Sequence, residues 1–545
     1  YSAFKLMSFL PNSAFTVSVY LNYKLIRLED GQLHFISEND FLDNHFLNKS
    51  IEERKAIYRN AKDNLWNAYE MKDGFRVKSK YAPYVTAELE EEITAKLGSI
   101  SSHAEGMVEE ADKSGVHLLP ALSTILMFRA FIPKNIENTI LKYGDSISSI
   151  GVDTWGVDFG ILGKDGELLE NPVSYRDGYN IVGFEKAQEN FSLKDIFMKT
   201  GNQIMSINTL FQILALKEEN RNYKDIKTLL MMPDLINYFL TGESYAEMTI
   251  ASTTQLFELE NKKYSNDILE NYEIDKSIFP EVIEPGKVVG STKNSKLESL
   301  RKFDIPVIST ASHDTASAVL LTKAYTDSET LFLSCGTWSL IGCLSEKPII
   351  TEEAFKDSLT NETGYNCSNM FFKNITGLYI LEKLKEQLEK KLGTEISFEE
   401  ITNYVNSCNV KEIVDVENEV FQQDEFNVIE EIDKLIPTPL DNDFDYFKVV
   451  YLSLVEKYKK TIEQISKVMN KNFRNLHIIG GGAKSKLLCQ MIADATKLDI
   501  VAGPFEATAY GNILIQKIAL NEIKSLKEGF NIIEKSSEVY KYQAN

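Results

Sequence analysis

The sequence predicts an α/β architecture in which mixed sheets are flanked by helices. From Ser146 onward, short apolar runs that read as buried strands alternate with long stretches of helical spacing. Several of those runs end in a polar or glycine-only turn that leads into a helix, as at Ile305–Ser312 and Leu476–Gly482. The length of 545 residues allows about two to four domains with ample core.

The elements follow in order. Residues 1–35 read as strand-rich and irregular, and residues 36–70 as charged with helical spacing. A helix is expected from Thr86, where Leu89, Ile93 and Leu97 fall on one face and Glu88, Glu90, Glu91 and Glu92 on others. Leu118–Ile132 is apolar but interrupted by Pro120 and Arg129. It is too short to span a bilayer and reads as a buried helix or strand pair. The first sheet is expected to begin at Ile147–Phe159, with the preceding residues as an atypical, partly irregular layer. A second strand, Gly160–Leu169, should turn back through Lys164-Asp165-Gly166. Residues 185–245 read as mainly helical, Pro280–Lys302 as a connector, and a second half is expected from Pro306. Val449–Met469 carries apolar residues at 451, 454, 455, 458, 462 and 465, which predicts an amphipathic helix. Another helix is expected from about Ser485 to Thr496.

A formal charge of −21 argues against non-specific nucleic-acid binding and anionic membrane surfaces. It does not exclude ATP, whose binding depends on local backbone donors. The cysteines, Cys335, Cys343, Cys367, Cys408 and Cys489, are odd in number and lack C-x-x-C spacing. They read as reduced thiols of a cytoplasmic protein, without zinc. No secretory signal is evident, and the chain opens on Tyr1, as a fragment would.

Three segments carry chemistry. In Ser312-His313-Asp314-Thr315-Ala316-Ser317-Ala318 an aspartate stands where a strand enters a helix. It reads either as a general base for an alcohol in phosphoryl transfer or as a helix cap. Ser334-Cys335-Gly336-Thr337 is a tight turn between strands that offers N–H groups and hydroxyls to an anion. Gly480-Gly481-Gly482 lets a flat or anionic group approach the backbone, or is simply a tight turn. Asp153-Thr154-Trp155-Gly156 offers a sugar a carboxylate, an indole and a close approach; Trp155 as core and Asp153 as a strand end is the alternative.

Together these segments resemble the rhamnulokinase branch of the FGGY carbohydrate kinases. Further likeness lies in Ile150–Phe159, Asn171-Pro172-Val173-Ser174-Tyr175-Arg176-Asp177, Asn208-Thr209-Leu210-Phe211-Gln212, Met232-Pro233-Asp234, Lys373–Leu378 and Ala502–Asn512. The resemblance runs from about residue 145 to the C-terminus. It implies two actin-like, ribonuclease H-like domains flanking a cleft: 141–305 on the sugar side and 306–545 on the nucleotide side, after an atypical region 1–140. It implies ATP-dependent phosphorylation of L-rhamnulose at O1 with Mg²⁺, Asp314 being the proton acceptor. Gly156, His313, Asp314, Thr315 and Asn374 match sugar-contacting positions. Thr337 and Gly481 match ATP-contacting positions, with Gly336, Gly480 and Gly482 beside them. Glu382 stands where the family usually has Gln, so a carboxylate would face an anionic ligand. The halves are expected to hinge near residues 303–312.

The family opens on a D-x-G-x-x-S-x-R type phosphate turn, which has no counterpart before residue 145. Weak MgATP binding and weak or absent kinase activity are therefore expected. Two alternatives stay open: a sugar-binding protein with impaired catalysis, and a kinase for another ketose such as L-fuculose or xylulose. Oligomeric state leaves no trace in the sequence.

Overall fold

The computed structural model describes residues 132–143, 146–170, 172–175, 178–219, 222–422 and 426–545, with the backbones of short strands before residue 80. The helix expected from Thr86, residues 118–131 of the apolar run, Asn171, Arg176 and Asp177 lie outside the described residues.

Two sheets organise the chain. The first contains β1 (Lys5–Leu6), β2 (Phe15–Val19), β3 (Ile150–Thr154), β4 (Lys287–Ser291) and β5 (Pro306–His313), in spatial order β1-β2-β3-β5-β4. β2, β3 and β5 are parallel, and β1 and β4 are antiparallel edges. β3 is buried along its whole length, as a strand covered on both faces must be. The expectation that the sheet begins at Ile147–Phe159 is thus corrected: β2 pairs beside β3 with Phe15 opposite Ile150. Pro306–His313, expected to open the second half, hydrogen-bonds in this first sheet. The same ladder removes the expected hinge at 303–312, because bending there would break bonds to two neighbours.

The second sheet contains β6 (Thr330–Cys335), β7 (Trp338–Ser345), β8 (Thr360–Thr363), β9 (Asn369–Thr376), β10 (Asn475–Ile479), β11 (Asp499–Ala502) and β12 (Tyr540–Tyr542). Its order is β8-β9-β7-β6-β10-β11-β12. The helices that matter for the site are α1 (Thr209–Glu218), α2 (Met232–Thr241), α3 (Met248–Ala251), α4 (Asp314–Val319), α5 (Tyr379–Leu392), α6 (Asp445–Met469), α7 (Lys486–Thr496) and α8 (Ala507–Ala519). Among the described residues no helix is long and apolar enough to cross a membrane.

The amphipathic reading of α6 holds, with the helix starting four residues earlier than expected, at Asp445. Phe447, Leu454, Tyr458 and Ile465 are buried on its inner face against β6 and β10 residues such as Leu333 and Ile478. Each such side chain contributes about 1.5–3 kcal/mol over exposure. Ser485 caps α7 by accepting the Leu488 N–H, which sets its start at the expected place. The hairpin at Lys164-Asp165-Gly166 forms, but its arms are Phe159–Leu162 and a bridge at Leu168. β3 stops earlier, at Thr154, because the Trp155–Asp158 turn intervenes.

α8, from the far end of the chain, closes over the first sheet. Gly151 leaves room for Asn512 and Gln516. Ser149 Oγ donates to Gln516 Oε1 at 2.8 Å, Gln516 Nε2 to Asn512 Oδ1 at 2.6 Å, and Asn512 Nδ2 to Asp153 Oδ2 at 2.5 Å. α8 also touches α4, where Gly511 abuts the Ser317 carbonyl. A Cβ there would overlap that oxygen. Gly511→Ala is therefore expected to lower stability by about 1–3 kcal/mol. Thermal unfolding checks this, and an unchanged Tm would mean the helices separate freely.

Candidate active site

The register of the first sheet sets His313 opposite Thr154. The turn after β3 and the start of α4 therefore leave the sheet side by side, at the carboxyl ends of parallel strands, where α/β sheets form ligand crevices. Beneath them lies Glu247, buried and just ahead of α3. Its carboxylate accepts from Ser312 N at 3.1 Å, Ser312 Oγ at 2.6 Å, Thr249 N at 2.9 Å, Thr249 Oγ1 at 2.5 Å and Ile250 N at 3.2 Å. Burial still pushes its pKa up. Thr249 Oγ1 also accepts the His313 N–H at 3.2 Å.

Asp314 is the first residue of α4, and His313 holds the cap position without a side-chain cap bond. The helix-cap reading of Asp314 is corrected in position: the cap residue is His313, while the Asp314 carboxylate meets the backbone N–H and hydroxyl of Thr315. Oδ1 lies 3.6 Å from His313 Nε2 and accepts from Thr315 Oγ1 at 3.2 Å. Burial raises its pKa, and the His313 charge pulls the other way. On the far side of the imidazole, His313 Nδ1 lies 3.0 Å from Glu362 Oε2.

The Trp155–Asp158 turn is tightly determined. Val157 has a φ of 66°, costly for a β-branched residue. Its N–H donates to Thr253 Oγ1 at 3.2 Å, its carbonyl accepts from Thr209 Oγ1 at 2.6 Å, and Asp158 N donates to Gly156 O at 2.9 Å. A Cβ at Gly156 would press on Thr253 Oγ1 at 3.0 Å. The Trp155 indole donates to Asp158 Oδ2 at 2.8 Å, and Gln212 Nε2 donates to Asp158 Oδ1 at 3.2 Å. Trp155 is half-buried, one face packed on the core. Asp153 is placed differently: it is 1% exposed and spends its carboxylate on Asn512 of α8. Asn374 in β9 meets Gln203, which accepts from its backbone N at 3.1 Å and from Nδ2 at 3.3 Å.

The second group of residues gathers at the ends of β6 and β10. Gly336 and Thr337 form the tip between β6 and β7. The tip is braced by Leu378 N to Gly336 O at 2.9 Å and Gly377 N to Thr337 O at 3.0 Å. Gly480 has a φ of 82°, and a Cβ there would meet Cys335 O at 2.9 Å. A Cβ at Gly482 would overlap Cys335 Sγ, whereas Gly481 faces open space. The triplet thus lies across the end of β6 with its middle residue presented outward. His477, neutral with its pKa pushed down to about 4 by burial, accepts from Lys323 N at 2.9 Å and contacts Gly503 O at 2.6 Å. Glu382 in α5 is half-buried and its pKa is raised by burial. Cys335, against which Gly480 and Gly482 pack, is pushed up to about 11 by burial, and the Glu382 charge acts in the same direction.

Sequence reasoning missed Glu247, Glu362, Gln203 and Thr253. Thr360-Asn361-Glu362-Thr363 is wholly polar yet wholly buried, so periodicity carries no signal for it. Thr209 and Gln212 lie in a segment that carries the family likeness, but their support of the turn is not legible there.

Models of the FGGY family of carbohydrate kinases match residues 130–320 (N-terminal domain) and 331–520 (C-terminal domain). The chain is 36% identical over 399 residues to a rhamnulokinase of Halalkalibacterium halodurans, covering 72% of this chain and 84% of that one. It is 35% identical over 402 residues to a rhamnulokinase of Oceanobacillus iheyensis, covering 72% and 83%. Among solved structures, it resembles a ligand-bound xylulose kinase from Lactobacillus acidophilus with a TM-score of 0.61, 17% identity and coverage of 76% and 83%. A Plasmodium falciparum glycerol kinase with ADP gives 0.61, 16%, 76% and 84%. These share the two-domain actin-like fold.

The glycine triplet yields a paired test. Gly482→Ala is expected to cost about 1–3 kcal/mol through overlap with Cys335, and Gly481→Ala to stay within about 0.5 kcal/mol. Denaturant unfolding of both variants checks it; equal losses would contradict the geometry.

Proposed function

The chain belongs to the FGGY family of carbohydrate kinases, and from that premise we propose that it transfers the γ-phosphoryl group of ATP to O1 of L-rhamnulose. The products are L-rhamnulose 1-phosphate and ADP, and the reaction belongs to the use of L-rhamnose in the cytoplasm. The observation that carries the reading is Asp314, a half-buried carboxylate beside His313 at the carboxyl end of β5. The names of relatives matched over more than four fifths of their length support the substrate.

Asp314 accepts the proton of the O1 hydroxyl as that oxygen attacks phosphorus and the bond to the ADP oxygen breaks. Its pKa is raised but it must be ionised to act, so activity rises as pH rises through that value. Gly156, Trp155, His313, Thr315 and Asn374 line the sugar: an indole face, a close backbone approach and polar partners. Gly336 and Thr337 face the phosphates, and Gly481 the adenosine. Magnesium enters with the nucleotide as MgATP, held chiefly by phosphate oxygens and water. The division into a sugar side through residue 305 and a nucleotide side beyond it is part of this reading, with β5 contributing the base from the first sheet.

ADP release over a panel of ketoses tests the substrate, L-rhamnulose being expected to lead; turnover preferring L-fuculose or xylulose would overturn it. Sugar binding without ADP release would instead favour a non-catalytic sugar-binding protein. Asp314→Asn, nearly isosteric, is expected to fold normally and lower kcat about 10²–10⁴-fold. Near wild-type kcat would remove Asp314 from the role of base. Gly481→Val is expected to raise KM for ATP with little change for the sugar, since its Cβ meets no protein atom.

A further inference from the structure

One imidazole stands between two carboxylates, one from the helix that follows β5 and one from a strand of the second sheet. His313 ends β5 of the first sheet, and Glu362 lies in β8 of the second. Nδ1 is 3.0 Å from Glu362 Oε2, and Nε2 is 3.6 Å from Asp314 Oδ1. The side chains of His313, Glu362 and Asp314 are 9%, 8% and 20% exposed. β8 is clamped to the first half: Thr363 N donates to Ser252 Oγ at 2.9 Å, and Asn202 Nδ2 donates to Asn361 O at 2.9 Å. Glu362 is therefore held at ion-pair distance from His313, although Nδ1 and Oε2 form no aligned hydrogen bond.

We propose that Glu362 is a positioning residue for Asp314: it holds His313 as an imidazolium, and the imidazolium keeps the half-buried base ionised. This rests on the reading of Asp314 as the base. A neutral imidazole has one N–H, so one of the two carboxylates would face a lone pair. A protonated ring carries an N–H on each nitrogen, so neither carboxylate faces a lone pair, and its charge attracts both. The charged groups facing His313 are Glu362 from β8, Asp314 from α4 and Glu247 ahead of α3. Burial works against the cation, but these three acids, Glu362 foremost, carry the His313 pKa above its ordinary value. The Asp314 carboxylate would otherwise be driven toward its neutral form by burial, and a neutral acid accepts no proton.

The sign follows. In Glu362→Gln, His313 loses its proton at lower pH, and Asp314, without its cationic neighbour, gains one at higher pH. The acid limb of kcat should move up by about one pH unit or more, so kcat at pH values inside that limb falls about tenfold or more, while KM for ATP stays put. Glu362→Asp keeps the charge and should restore most of the profile. NMR of the imidazoles reads His313 directly among the six histidines, assigned with His313→Gln. A Glu362→Gln protein whose His313 titration and acid limb do not move overturns the proposal, whatever its Tm or sugar KM. Should that variant not fold, wild-type His313 titrating below about 6.5 overturns it without any variant. Wild-type protein inactive on L-rhamnulose would defeat the substrate reading, yet the His313 titration would still decide the role of Glu362.

Discussion

The cleft depends on how one desolvated carboxylate is satisfied. Glu247 is fully buried, and an ion there survives only if its oxygens are hydrogen-bonded. Its partners come from α3 and from Ser312 at the end of β5. Meeting that demand fixes the end of β5 against the start of α3, and Thr249 passes the restraint on to His313 N–H. Asp314 follows directly. Removing Glu247 would leave Ser312, Thr249 and the start of α4 without a common anchor.

A second constraint comes from the opposite side. α8 arrives from the C-terminal part of the chain and joins the first sheet through Ser149, Gln516, Asn512 and Asp153. Its Gly511 lets α4 approach to backbone contact at Ser317. The helix carrying Asp314 is thus held between residues of the first sheet and a helix more than 190 positions away. The two groups of candidate site residues are likewise coupled by β9 and the turn after it. Asn374 meets Gln203, and three residues later Gly377 supports the Thr337 tip.

The buried acids around the cleft share one physical theme. Asp234, Glu247 and Asp314 are all pushed toward the neutral form by burial. In the fold they differ in what opposes that push: Asp234 receives the Glu247 N–H, Glu247 several donors, and Asp314 a nearby histidine and the backbone and hydroxyl of Thr315. That difference separates two fully buried acids tied into the backbone from one that is partly exposed to the cleft.

Much of this was legible in the sequence because it is local. Ser485 as a cap, the spacing of α6, the polar break at His313-Asp314 and the glycine triplet each depend on residues close in the chain. Local sequence also carried the likeness to sugar kinases, and with it Asp314. What it did not carry is long-range. No spacing shows that Asp153 bonds to Asn512, that Pro306–His313 completes the first sheet beside a strand at Phe15–Val19, or that a wholly polar strand brings Glu362 to His313. Those depend on strand register and on which buried polar groups find partners, and only the assembled tertiary structure decides that, because unpaired polar atoms become costly only once water is gone.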